Sequence, residues 1–330
     1  MLTIKENFLE TIRGGSPDRF VKQHEAYANL LGNDPLTRVY NVKCIPGEEY
    51  VDAWGVTMRW DEGTPGKFPV HSDDKRVLRD ITTWCDVVRA PSVEFAEEDW
   101  KHLVDYVTTI DRNERLVMLT TLTGVFEQLH YLMGMQDTLT NFYLEPDEMK
   151  ALINYITEHK LSYMTQVFER IKVDAFFLGD DWGTAISTFL APEMMREFFL
   201  EPYQRIYGCA KEHGVKVTIH HSDSYAATLV PLMIEMGIDV YQGCMSTNNT
   251  PELIRKYGGR ISFQGDLDNG KLDTCHWTPE FIRLDVERAC RSCGKHYYIP
   301  CLIAAGPFST YEGVYECVNQ EIDRMSRLMF

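Results

Sequence analysis

The chain has 330 residues, and its 33 Lys and Arg stand against 49 Asp and Glu, a formal net charge of −16 at pH 7. That acidic balance argues against a nucleic-acid or anionic-membrane partner, because both need a basic surface. No apolar run approaches the roughly 20 residues that cross a bilayer, and Lys5, Glu6 and Glu10 leave no room for a signal-peptide core, so a cytoplasmic protein is expected. Nine scattered cysteines in a chain long enough to bury a large core do not suggest a disulfide framework, and the lone Cys290/Cys293 pair reads as incidental spacing.

Apolar positions from Ile4 to Ile12 have helical spacing, and Gly14-Gly15-Ser16-Pro17 ends the run. An aromatic-rich region follows, in which Asp52-Ala-Trp-Gly55 and Gly63-Thr-Pro-Gly66 punctuate a β-ribbon running to Val70. Arg76 to Val88 reads as a helix broken by Ala90-Pro91. No Pro/Ser-rich linker or charge run sets this part off, so residues 1–111 are expected to form an extension wrapped on a barrel core of residues 112–330, one structural domain overall.

From Arg115 onward short apolar runs alternate with amphipathic stretches. Strands are expected at 116–120, 175–179, 215–220, 238–241, 261–263 and 297–299, with helices between them and a last helix from about Thr310. Parallel βαβ units in such a series predict an α/β chain folded as a single (β/α)8 TIM-type barrel. Chemistry in such barrels sits at the C-terminal ends of the strands. Those ends carry Asp180-Asp181-Trp182, His220-His221-Ser222-Asp223, Gln242, Gln264-Gly265-Asp266 and Cys301, with Glu127 following Leu122-Thr-Gly124.

Successive strand residues alternate faces, so His221 and Asp223 leave their strand on one side and can grip one cation together. Cys301 offers a third ligand after the apolar run that begins at Tyr297. Imidazole, carboxylate and thiolate suit Zn2+, and three protein ligands leave one tetrahedral position open. Water, Asp266 or Glu127 remain open as the fourth ligand. Asp180 and Asp181 read either as turn caps or as catalytic carboxylates, and His220, which alternates away from His221, either as a core histidine or as a proton carrier.

The chain also resembles the uroporphyrinogen decarboxylase superfamily, which contains cobalamin-dependent methyltransferases. The resemblance is carried by Lys5-Glu6, Pro17-Asp18-Arg19, Asp52-Ala-Trp-Gly55, Gly179-Asp-Asp181, Ala191-Pro192, Pro202-Tyr203, His221-Ser-Asp223, Gly237-Ile-Asp239 and Gly265-Asp-Leu-Asp268. It implies a distorted TIM barrel with an N-terminal extension. The decarboxylase branch implies N-terminal arginines; Arg13 and Arg19 are present, but Phe20-Val-Lys-Gln-His24 replaces the arginine-rich signature. The methyltransferase branch implies zinc on a His-x-Cys pair and a Cys close to eighty residues later. Here the pattern is His221-x-Asp223 and Cys301, and the carboxylate favours an oxygen ligand over a thiol.

The resemblance therefore implies the first methyltransferase of anaerobic O-demethylase systems. Such an enzyme moves methyl from an aryl methyl ether, or a similar small methyl donor, to Co(I) of a separate corrinoid protein. Asp180, Asp181 and His220 would then orient ligands or pass protons. Trp182, Phe126 and Tyr241, with Glu127, Gln242 and Gln264, would surround the substrate ring. Methyl transfer from a methyl-corrinoid to a thiol or pterin, and metal-free decarboxylation of a porphyrinogen, are the alternatives.

Overall fold

The computed structural model describes residues 1–330 apart from 41–44, 62, 63, 65 and 305. Cys44, Gly63 and Pro65, which entered the reading above, lie outside the described residues. Seven strands form one parallel sheet: β1 (Tyr27–Asn29), then, after a small separate ribbon, β5 (Leu116–Thr121), β6 (Ala175–Gly179), β7 (Val217–His221), β8 (Val240–Cys244), β9 (Ser262–Leu267) and β10 (Tyr298–Leu302). They pair in that order, each new strand beside the last. The ribbon is antiparallel, β2 (Glu49–Val51), β3 (Thr57–Arg59) and β4 (Phe68–Pro69), its first turn closed by Asp52, whose Oδ1 accepts from the Trp54 and Val56 amides.

The runs LVMLTT, AFFLG and VTIHH are buried throughout, as strands of a parallel sheet covered on both faces must be. Alternation sorts them. Leu116, Met118, Ala175, Phe177, Val217, Ile219, Val240 and Ile299 meet in one interior cluster with Tyr27 and Phe8. Leu119, Phe176, Leu178, Tyr241 and Phe263 point the other way into the layer of helices. Residues from both edges of the sheet, Tyr27 of β1 and Ile299 of β10, share the interior, so the sheet curls into a barrel-like form.

The closed eight-stranded barrel expected from the sequence is not what is observed: seven strands pair, and β1 and β10 do not bond to each other among the described residues. A side chain spans the seam instead. Gln23 Nε2 donates to the carbonyls of Leu302 (3.3 Å), Ala304 (2.8 Å) and Gly306 (3.1 Å), and the Gln23 carbonyl accepts from Gln264 Nε2 (2.8 Å). The helix Ile4–Arg13, opened by a Thr3/Glu6 capping box, plugs the end where the strands begin. Its carbonyls at Thr11 and Ile12 accept from the Tyr297 amide and the Ser262 hydroxyl, at the starts of β10 and β9. With that end filled, the opposite end, where the strands finish, is the mouth.

Residues 1–111 do not all lie outside the barrel, since β1 is a strand of the main sheet and Phe8 packs in its interior. The rest of the span is tied to the long helix Pro146–Arg170, which accepts or donates at Ala90, Pro91, Val93 and Glu97. Where a helix over 76–88 was expected, there is one 3-10 turn at Ile81–Thr83 and a short helix Trp84–Val87, because Asp80 caps the chain late, its Oδ1 accepting from the Thr82 amide. Strands β8, β9 and β10 run three to four residues further than their apolar runs suggest, so Gln242, Gln264, Asp266 and Cys301 lie within them. No helix among the described residues is long and apolar enough to cross a membrane.

Candidate metal centre and adjoining cavity

The alternation of β6 and β7 carries on past their ends and decides which polar residues enter the barrel. Counting by twos from Ala175 and Phe177 leads through Gly179 to Asp181; from Val217 and Ile219 it leads to His221 and Asp223. Gly179 and His221 are register partners on neighbouring strands, which sets these three residues side by side at the mouth. Ligand atoms of Asp181, His221 and Asp223 all lie within 4.8 Å of one another. His221 Nε2 is 3.8 Å from Asp181 Oδ1, and the Asp223 amide donates to the same oxygen at 3.0 Å.

His221 is held for this task by Gln242. Gln242 Nε2 donates to the Ile303 (3.1 Å) and Ala304 (3.3 Å) carbonyls, so its Oε1 is the atom left to face His221 Nδ1. An amide oxygen only accepts, which puts the imidazole proton on Nδ1 and leaves the Nε2 lone pair toward the two carboxylates. Phe177 fixes the ring's other face, stacked at 5.9 Å and 20°.

The carboxylates are crowded. Desolvation by the surrounding wall, then the Asp181 charge and a hydrogen bond with Asp181, raise Asp223 to about 8, although Asp223 is open to water on its mouth side. Desolvation, followed by the charges of Asp181 and Asp180, also pushes Glu127 well above the usual carboxylate range. Such a group of carboxylates is relieved by a cation. One nitrogen and two oxygens in reach of one point fit a divalent metal of borderline to hard character, zinc included.

The opposite parity holds structural residues. Asp180, buried on the helix side, accepts from the amides of Phe126 (3.0 Å) and Glu127 (2.8 Å) and from the Tyr203 hydroxyl. It therefore caps the helix Val125–Met133 from a neighbouring strand. Desolvation is the main cause that raises its carboxyl to about 7, against those two amide bonds. His220 receives the Tyr207 hydroxyl on Nδ1 (2.8 Å) and donates from Nε2 to the Asp180 carbonyl (3.1 Å), beneath the Trp182 ring. Desolvation keeps it neutral, well below the ordinary histidine range.

Cys301 stays outside the cluster. Two strands, β8 and β9, stand between β7 and β10, and its register partner is Asp266, within the sheet. It faces the interior beside Gln264 and Gln242, and burial raises its thiol far above the usual range. Of the residues expected around a substrate, Phe126, Trp182 and Tyr241 are buried in the layer between sheet and helices, Tyr241 donating to the Ser224 carbonyl (2.7 Å). Gln264 lies on the interior side, bonded to Gln23. Lys160, which nothing in its helical spacing marks, reaches the Thr123 carbonyl (2.6 Å) and is lowered to about 8 by desolvation against the charges of Asp180 and Glu127.

Beside the centre lies a cavity of about 660 Å³, lined by Tyr27, Met118, Thr120, Leu122, Phe177 and Phe308 among others. Phe177 both lines the cavity and stacks on His221.

A barrel-like α/β fold with a carboxylate-rich, histidine-bearing centre at the strand ends defines an enzyme-type scaffold. The chain belongs to the uroporphyrinogen decarboxylase (URO-D) family, whose model matches residues 51–302. No curated protein matches it. Among solved structures it is similar to a methyltransferase from Methanosarcina mazei, at 11% identity and a TM-score of 0.65, over 98% of this chain and 99% of that one. A D-psicose 3-epimerase from Clostridium cellulolyticum H10 is similar at 9% identity and a TM-score of 0.40, over 71% of this chain and 84% of that one, which is too loose a likeness to carry an argument.

Proposed function

We propose that this protein is a metal-dependent methyltransferase that moves a methyl group from a methoxylated aromatic, or a similar small methyl donor, to Co(I) of a separate corrinoid protein. The observation that carries this reading is the convergence of Asp181, His221 and Asp223 at the barrel mouth. Family membership and the likeness in fold to a methyltransferase support it. When bound there, zinc would supply Lewis acidity to an oxygen that leaves as phenolate.

The chain's own residues do the rest. His221 presents Nε2 because Gln242 holds its other nitrogen protonated, and Asp181 fixes the Asp223 backbone by accepting its amide. Cys301 shares Gln242 with His221 and is the thiol that metal binding would have to deprotonate to recruit. A donor set richer in carboxylate than in thiolate favours an oxygen leaving group over transfer to a thiol.

The test is metal content and methyl transfer together. Zinc-reconstituted protein is expected to hold about one metal per chain, and Asp181→Ala, His221→Ala and Asp223→Ala to weaken binding by at least roughly tenfold each. Cys301→Ser separates a centre of three ligands from one that also recruits the thiol. Methoxylated aromatics incubated with a reduced corrinoid protein should give methyl-cobalt and the corresponding phenol, only in the metal-bound enzyme. Wild-type protein that takes up no zinc, or three alanine variants that bind it unchanged, would refute the reading.

A further inference from the structure

The cavity beside the centre is apolar over most of its wall, with Met118, Leu122, Phe177 and Phe308 exposed to it, and among the polar side chains that also line it, Lys22, Glu25, Arg115 and Tyr315 included, are the hydroxyls of Tyr27 and Thr120. Tyr27 is 6% exposed and Thr120 5%, and neither Tyr27 Oη nor Thr120 Oγ1 has a hydrogen-bond partner among the described residues. Buried hydroxyls are partnered in nearly every folded protein, and two orphans facing one cavity mark a place where a ligand supplies the partner. Both are interior residues by strand parity: Thr120 follows Met118 by two on β5, and Tyr27 belongs to the interior cluster. Thr120 is also the register partner of Phe177, whose ring lines the cavity and stacks on His221, so one ring joins the cavity of the hydroxyls to the metal-capable centre.

The geometry points to a subsite that reads an oxygen substituent on the substrate's ring, with Tyr27 and Thr120 as its specificity-determining residues. This rests on the methyl-transfer reading above for the identity of the ring, and it adds which rings are taken. Phe177 and Met118 hold the ring face. Tyr27 donates to the oxygen substituent, and Thr120, which can donate or accept, takes the proton of a hydroxyl or bonds a second oxygen. A ring without such a substituent leaves both hydroxyls buried and unsatisfied in the complex, which is the arrangement that rejects an analogue most strongly.

Binding of the three methoxyphenol isomers and of methoxybenzene to the zinc-reconstituted full chain, followed by calorimetry, tests this without turnover. At least one methoxyphenol is expected to bind roughly ten- to a hundredfold more tightly than methoxybenzene. Tyr27→Phe and Thr120→Val should each erase most of that preference, weakening the phenol and relieving the penalty on methoxybenzene, while leaving zinc content as in the wild type. Equal affinity for all four rings in the wild type, or variants that weaken phenol and methoxybenzene alike, would overturn the subsite. If the preference and its loss are seen but no ring ever yields methyl-cobalt, the subsite stands and the methyl-transfer reading falls.

Discussion

At the scale of single residues the proton on His221 matters most, because a ligand nitrogen must be the unprotonated one. The Gln242 amide is oriented by two carbonyls it can only donate to, and that orientation passes to the imidazole. Gln242→Met fills the same space but neither accepts from Nδ1 nor donates to Ile303 and Ala304. It should lower zinc affinity by roughly 10- to 100-fold, read by competition with a chromogenic chelator, while the protein stays folded. Unchanged affinity would show that Nε2 needs no such support. The sequence makes much of this centre legible, since the His-x-Asp spacing on a strand end puts His221 and Asp223 on one face. The same count by twos separates Asp181 from Asp180, yet two adjacent aspartates after a strand look interchangeable until the strand's inward face is known. Cys301 passes the parity test and stands three strands along from His221, a separation the sequence hides because the number of strands between β7 and β10 is a property of the sheet.

At the scale of elements, the helix Pro146–Arg170 acts as a bracket between the N-terminal segment and the barrel. Along one side Tyr155, His159, Gln166 and Arg170 bond to residues 90–97, and Tyr163 bonds to Asp34. His159 is the titratable member of that row, its Nε2 on the Pro91 carbonyl (3.0 Å) and its ring against Trp54. Desolvation, with the Lys160 charge, lowers it to about 4 from an ordinary 6.5. Below pH 6.5 the unfolded chain takes up a proton that the folded chain refuses, so stability falls as pH drops from 6.5 toward 4 and no further below it. At about 1.4 kcal/mol per pKa unit the loss is at most about 3.5 kcal/mol. Urea midpoints of the wild type and His159→Gln between pH 7.5 and 4.5 should converge or cross as the pH falls, since the variant lacks this penalty; a gap that does not change with pH would contradict the assignment. The helix itself is visible in the sequence from Pro146 and its length. Its role as a bracket is not, because the contacts join residues more than sixty apart.

At the scale of the whole molecule, alternating apolar runs and amphipathic helices were enough to indicate a barrel-like α/β chain, because each βαβ unit is local and its handedness is fixed. How the sheet ends is not local. β1 has three residues and β4 two, too few to show a period, and so a strand of the main sheet reads as part of a wrapped extension. The seam between β1 and β10 follows from this, and its integrity rests on one glutamine rather than on a backbone ladder. Gln23→Ala removes the donor to three carbonyls that stay buried or half-buried behind it, at a cost of about 2–4 kcal/mol. In a chain of this size that should lower Tm by roughly 3–6 °C. Because the seam borders the cavity at Gly306 and Phe308, the variant should also bind methoxyphenols more weakly even where it remains folded, while zinc uptake, linked to the seam through the Ala304 carbonyl that Gln23 shares with Gln242, should fall less than in Gln242→Met. Loss of zinc together with stability would mean that seam and metal centre open as one unit; retention of both stability and ring binding would mean that the glutamine bridge is ornamental to closure.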